Sequence, residues 1–201
     1  MQQDLLKIVI WGTGTDYQKR ANLFSYYSMI TPMEIVAYVS KSEGYKKIND
    51  IPVVSTCELK DIDFDAIFIC SDKHFKQIYK EILGLGIDDS KIINSICLLN
   101  EDFDVREYLN LKKNVPTIIS NTCLGGLLYS NLFLPFRSPF INMSIEPEKY
   151  ILLLKNFSQI LDSDLQFSSK PDVFRCMMAN LKINNFDVPV SLPHSQNFDI
   201  A

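Results

Sequence analysis

Lys7-Ile8-Val9-Ile10-Trp11-Gly12-Thr13-Gly14 is the stretch that decides the fold. A short apolar run ends on two glycines, and the next segment, Asp16 to Ser28, places Tyr17, Ala21, Phe24 and Tyr27 at helical spacing. Strand, glycine turn and helix make the opening unit of an open parallel sheet. The alternation then continues. Ile35 to Val39 and Ala66 to Cys70 are continuous apolar runs, as strands buried on both faces require, and Val53-Val54 can add a short strand. Ser71 and Asp72 are placed to cap a helix carrying Phe75, Ile78, Tyr79, Ile82 and Leu83 on one face, and Gly84 and Gly86 stop it. Lys91 to Ile93 reads as the next strand. Strands alternating with helices imply a doubly wound parallel sheet.

A charged segment, Glu101 to Lys113, reads as a helical bridge rather than a further core element. Beyond it, Thr117 to Ser120 reads as a strand, Asn121 to Gly126 as a tight turn and Leu127 to Leu134 as a helix stopped at Pro135. Phe140 to Ser144 can form a strand. Pro147 suits the first position of a helix with Tyr150, Leu153, Leu154, Phe157 and Leu161 on one stripe. Val173 to Ile183 fits either helix or strand, and Val188 to Leu192, with Pro189, fits an edge strand. The expected division is residues 1–100, a bridge over 101–115, and a second, smaller α/β domain over 116–201.

Composition narrows the function. Twenty basic against 24 acidic residues give a net charge of −4, with no run of Lys or Arg longer than a pair, which argues against nucleic acid as a partner. No apolar run reaches the roughly 20 residues of a membrane span, and Met1 to Leu6 lacks the features of a signal peptide, so a cytoplasmic address is expected. Cys57, Cys70, Cys97, Cys123 and Cys176 are an odd number, far apart and without a CxxC pair. They read as reduced thiols, with no disulfide framework and no metal site.

Gly12-Thr13-Gly14 after a strand begins a dinucleotide fingerprint, whose glycines let a phosphate approach a helix N-terminus. The third glycine position holds Tyr17, and Ser40 stands where a ribose-binding acid is usual. NAD is therefore not expected. A nucleotide or UDP-sugar held by Gly12, Thr13, Gly14, Ser40 and Ser71 stays open beside a purely architectural turn. Together with Ile51-Pro52-Val53, Asp65-Ala66-Ile67-Phe68-Ile69 and Gly86-Ile87, the stretch resembles the Rossmann-like N-terminal domains of bacterial sugar acyltransferases. That resemblance implies a Rossmann-like first domain in which the nucleotide part of a UDP-sugar lies over the glycine turn.

The second turn concentrates polar groups. Ile119-Ser120-Asn121-Thr122-Cys123-Leu124-Gly125-Gly126, with the later Ser138-Pro139-Phe140-Ile141-Asn142, resembles a bacterial domain family of unknown function labelled exopolysaccharide biosynthesis protein, through its Asn-x-Cys-x-Gly-Gly turn and Ser-Pro pair. The resemblance runs from Pro116 to the C-terminus, including Val188-Pro189-Val190 and His194. It implies a place in cell-surface polysaccharide metabolism. It also implies a chain that continues past Ala201 or lacks the family's last elements.

On physical grounds Cys123 can be a nucleophile, because a helix dipole favours a thiolate at that place and the Gly125 and Gly126 amides can steady an oxyanion. His194 is the candidate base, Asn121 a third catalytic candidate, and Arg137 with Ser138 a candidate for a phosphate or carboxylate. Catalysis, non-covalent binding and pure packing all remain open for this turn. The leading expectation is a protein that binds a sugar nucleotide or glycan precursor and modifies or transfers a sugar or acyl group. The alternative is a non-catalytic binding or assembly subunit for polysaccharide enzymes. A homo-oligomer is left open.

Overall fold

The computed structural model describes residues 4–41, 46–138, 140, 143–161, 165–167, 177–183 and 186–192. The chain forms two compact units, residues 1–114 and 115–201.

In the first unit the elements run β1 (Leu6–Trp11), α1 (Thr15–Ile30), β2 (Met33–Val39), β3 (Lys47–Ile48), β4 (Ile51–Val54), β5 (Ala66–Ile69), α2 (Phe75–Gly84), β6 (Ile92–Asn94) and α3 (Val105–Lys113). Strand order across the sheet is β3-β4-β2-β1-β5-β6. All neighbours pair in parallel except β3, which adds to β4 antiparallel. The unit is a Rossmann-like α/β fold. The chain builds outward through β2 and β4, then returns to the other side of β1 with β5. That reversal puts the switch point at the carboxyl ends of β1 and β5, where sheets of this kind leave a crevice.

Alternation along the strands explains the two faces. Ile8 and Ile10 join Phe24 and Tyr27 of α1 in one core cluster, while Val9 and Trp11 join Ile78 and Ile82 of α2 in the other. Side chains of successive residues leave a strand on opposite sides, so one apolar run supplies both cores. The helix α3, expected as a charged bridge, also packs: Val105, Tyr108 and Leu109 are buried in the α1-side cluster. Lys112 is buried with them. Its ammonium donates to the Ile92 carbonyl at 2.7 Å and to Asp89 at 3.1 Å, and burial lowers its pKa against the pull of Asp89. The charged look of α3 comes from its other faces.

In the second unit the elements are α4 (Leu124–Asn131), α5 (Pro147–Lys155), α6 (Phe157–Leu161), β7 (Leu165–Phe167), β8 (Met177–Ile183) and β9 (Phe186–Leu192). The strands form an antiparallel sheet β7-β8-β9, with β9, carrying Pro189, at its edge. Val188 and Val190 of β9 pack with Leu153 of α5 and with Phe140, Met143 and Ile145.

Four local expectations change here. Thr117 to Ser120 runs without strand pairing in the described residues. The single long helix expected after Pro147 breaks at Asn156, whose side-chain amide donates to the Leu152 carbonyl at 2.8 Å and leaves the helical path. Ser71 and Asp72 do not cap α2, which starts after His74; Asp72 is drawn instead to Arg20. Helix α4 starts at Leu124, so Gly125 and Gly126 lie inside its first turn. Of the strand expected over Phe140 to Ser144, residues 141 and 142 lie outside the described residues, as does the start of the Val173 segment. Among the described residues no helix is long and apolar enough to cross a membrane.

Candidate functional site

The carboxyl ends of β2, β1 and β5 bring Ser40, Gly12-Thr13-Gly14 and Ser71 to one edge of the sheet. Backbone bonds hold this edge: the Gly12 N–H donates to the Val39 carbonyl at 2.9 Å, and the Cys70 N–H donates to the Trp11 carbonyl at 2.8 Å. Gly12 has φ +102°, and a Cβ placed on it would stand 2.9 Å from the Cys70 carbonyl oxygen. Its lack of a side chain lets two loops of the same sheet touch. Gly14 has open space where a Cβ would lie.

Around this turn the polar side chains satisfy one another. Asp16, in the first turn of α1, accepts from the Asp72 N–H at 3.0 Å. The buried Arg20 donates to Asp72 at 2.6 Å and to the Ser95 hydroxyl at 3.1 Å. Arg20 holds the Asp72 carboxyl below its ordinary range. Burial pushes the Cys70 thiol up to about 12, with a hydrogen bond from Ser95 and the Arg20 charge pulling the other way. A diphosphate arriving at Gly14 would meet the carboxylate of Asp16 two residues on, at a helix end whose partial positive charge Asp16 already answers.

The second turn is organised differently. Tyr129 is fully buried, and its hydroxyl accepts from the Ile118 N–H at 2.9 Å and contacts the Pro116 and Arg137 carbonyls at 2.6 and 3.0 Å. One phenol thus ties α4 to the segment before it and to the Arg137 backbone. Gly125 and Gly126 are buried, and a Cβ on Gly125 would lie 3.4 Å from Ile118 Cγ2 and 3.5 Å from Ser120 Cβ. The role the structure gives Gly125 is close packing of α4 on residues 118–120.

Further bonds fix the backbone between them. The Thr122 N–H donates to the Ser120 hydroxyl at 3.2 Å, and the Leu124 N–H donates to the Thr122 hydroxyl at 3.3 Å. The Asn121 carbonyl accepts from the Ile145 N–H at 2.8 Å, and the Cys123 carbonyl from the Leu127 N–H at 3.0 Å. The side chains of Asn121 and Cys123 stay half-buried, and no hydrogen bond joins either of them to another described residue. Arg137 is exposed and Ser138 half-buried, its hydroxyl accepting from the Phe140 N–H at 3.3 Å. The structure therefore places Asn121, Cys123, Gly125 and Gly126 together and ties the Arg137 backbone to their base. His194, Pro139 and Cys176 lie outside the described residues. Among the described residues no group of three His, Cys, Asp or Glu is placed to hold a metal ion.

The network of Asp16, Arg20, Asp72 and Ser95 was not singled out from the sequence. Its signal is Arg20 itself, three residues after Tyr17 and four before Phe24, a charge on the stripe that faces the core. Tyr129 carried a weaker signal, a phenol inside an apolar helix.

Fold and site together define a two-unit α/β protein with a Rossmann-like first unit and a helix-start turn bearing a thiol in the second. Residues 94–198, just over half of the chain, match the family described as Domain of unknown function (DUF1919), and the chain belongs to that family. Residues 4–93 match the family described as C2185-like, N-terminal. The two matches meet inside β6, whereas the compact units divide after Asn114, so the second match takes in α3 from the first unit. An uncharacterized protein of Haemophilus influenzae is 35% identical over 51 residues, a stretch that spans 25% of each chain.

Proposed function

We propose that the protein binds a sugar nucleotide or glycan intermediate of cell-surface polysaccharide synthesis, in the cytoplasm, and that the second turn makes the decisive contact. The observation that carries this reading is a turn with a fixed backbone and side chains that no other described residue binds. Asn121 and Cys123 are half-buried without a described hydrogen-bond partner, on a backbone pinned from Ser120 to Leu127. Groups held this way lose little freedom on binding, and loops fixed on a rigid support are where ligand contacts concentrate. Asn121 offers both donor and acceptor to sugar hydroxyls, and Arg137 offers charge to a phosphate. The exopolysaccharide label of the family resemblance supports the substrate class. Acyl transfer follows if His194 takes the Cys123 proton and the thiolate attacks the carbonyl carbon of an acyl donor, expelling the donor's leaving group, which takes that proton. A sugar hydroxyl then displaces the thiolate from the thioester, its proton returning to the sulfur.

The test is thermal unfolding with UDP and UDP-sugars. A ligand bound only by the folded state at about 100 times its dissociation constant adds about 2.7 kcal/mol of stability. Loss of that increment in Asn121→Ala, with an unchanged melting point for the free protein, supports the reading. No response to any of these ligands at millimolar concentration overturns it.

One observation favours the rival, an assembly subunit. Helix α4 exposes Leu124 (55%), Leu127 (50%) and Leu128 (38%) on its outer side, and Phe136 beyond it is 53% exposed. A helix apolar on both faces is normally covered by something.

A further inference from the structure

We propose a binding site for an uncharged sugar ring in the first unit, in a cleft on the sheet face beside α1; it goes beyond the reading of the second turn and rests on different residues. The cleft follows from the topology. A doubly wound sheet normally covers each parallel crossover with a helix. Here the connection from β2 to β4 carries the two-residue β3 and, among the described residues, no helix. The face of β2 and β4 next to α1 is left open as a cleft of about 270 Å³, with Ile35 and Ile51 on its floor.

Size and lining chemistry select the occupant. The volume is just below the ~300 Å³ at which ordinary small-molecule sites begin, so it takes one ring and not a whole nucleotide. Among the described residues none that lines it is charged, so a phosphate or carboxylate placed there would find no counter-ion among them. One aromatic ring is half-buried at the cleft: Tyr17, which stands edge-on to the buried Tyr38 at 5.4 Å and tilted to the buried Phe24 at 6.1 Å. The Tyr17 and Tyr38 hydroxyls meet at 2.8 Å. Only one of the two phenolic hydrogens lies in that bond, and no other described residue takes the second.

The remaining polar groups come from two sides. Asn22, Ser25 and Ser28 stand on the exposed side of α1, where both serine hydroxyls donate to carbonyls of their own helix, and Asn49 sits at the turn between β3 and β4. Side-chain amides give and accept hydrogen bonds at once, which suits a ring whose hydroxyls do the same. An apolar floor, a half-buried aromatic ring and amides at the rim match a pyranose, with its apolar ring face and polar edge, better than an ion or a lipid tail.

The experiment uses the full chain and saturation-transfer NMR with methyl glucopyranoside, methyl galactopyranoside, N-acetylglucosamine and uridine. Transfer from at least one pyranose and none from uridine is expected. Ser25→Leu, at an exposed helical position, should fill the mouth and abolish transfer while the melting point holds. Asn49→Gly keeps the turn, since Asn49 has φ +50°, and should weaken binding about tenfold, the loss of one net hydrogen bond. Transfer from uridine equal to that from the sugars overturns the proposal, as does no transfer from any sugar, or transfer that persists in folded Ser25→Leu. If UDP leaves the second turn unaffected while pyranose transfer survives, only the second-turn reading fails; the reverse result removes only the cleft.

Discussion

Gly12 and Gly125 each stand beside the start of a helix, but a carbonyl faces the first and a methyl group the second. At Gly12 two loops of one sheet meet so closely that a Cβ would lie 2.9 Å from the Cys70 oxygen, and the surrounding Asp16, Arg20, Asp72 and Ser95 spend their polar groups on one another. At Gly125 the packing is ordinary, and the side chains just before it, Asn121 and Cys123, make no hydrogen bond to another described residue. The difference teaches that a glycine turn becomes a ligand site through the groups around it. Around the first turn Asp16, Arg20, Asp72 and Ser95 bind one another, and at the second a pinned backbone carries Asn121 and Cys123 side chains that no described residue binds.

The largest expected effect breaks the first turn. Gly12→Ala combines positive φ with a backbone overlap that cannot relax cheaply, and should destabilise the first unit by about 3 kcal/mol in urea unfolding. Gly125→Ala keeps helical geometry and gains propensity, so it should stay within about 1 kcal/mol of neutral. Equal costs at the two positions would erase the contrast.

The network gives the next effect. Asp72→Asn removes the partner of a buried guanidinium, but Asp72 is itself 45% exposed and solvent screens part of the loss. About 1 to 2 kcal/mol is expected from urea unfolding at neutral pH. The pH dependence has a definite sign. Arg20 holds the Asp72 carboxyl below the ordinary value of 3.8, so the unfolded chain takes up that proton first as pH falls. The contribution is complete above the unfolded value and disappears as pH drops through the folded one. Stability measured from pH 6 down to 2 should therefore converge between wild type and Asp72→Asn at the acid end. A constant gap across that range contradicts the role given to the pair.

Which parts of this were legible beforehand follows from the period of the signal. The runs Lys7 to Trp11, Ile35 to Val39 and Ala66 to Cys70 announce buried strands because both faces are apolar, and the helix before Gly84 announces itself through one stripe. Arg20 and Asp72 lie 52 residues apart. No local pattern joins them, so Asp72 looked like a cap. Asn156 breaks a helix through a side-chain bond to its own backbone, a competition that apolar spacing does not record. Thr117 to Ser120 has the composition of a strand, but the Tyr129 hydroxyl takes its Ile118 N–H and the Pro116 carbonyl just before it. The turn Asn121 to Gly126 was legible as a place. That its glycines are buried, Gly125 against residues 118–120, while no described residue binds its Asn121 and Cys123 side chains depends on contacts that no local pattern records.

A smaller effect sharpens the comparison through the thiols. Cys70 is 2% exposed, and burial pushes its thiol up to about 12 and that of Cys97 up to about 11. Iodoacetamide at neutral pH should spare both and modify Cys123, with the exposed Cys57 as the reference for an accessible thiol. A UDP-sugar should slow modification of Cys123 and leave Cys57 unchanged. Cys123 as inert as Cys70 would return the second turn to packing alone.

The most direct measurement is an amide-resolved NMR titration of the labelled full chain with UDP and a UDP-sugar. Resonances of Asn121, including its side-chain amide, and of Thr122, Cys123 and Leu124 should move with ligand, while Gly12, Thr13 and Gly14 stay in place. Movement at Gly12 to Gly14 with a silent second turn would contradict the assignment of the ligand contact, and silence at both turns at millimolar ligand would remove the nucleotide from the function altogether.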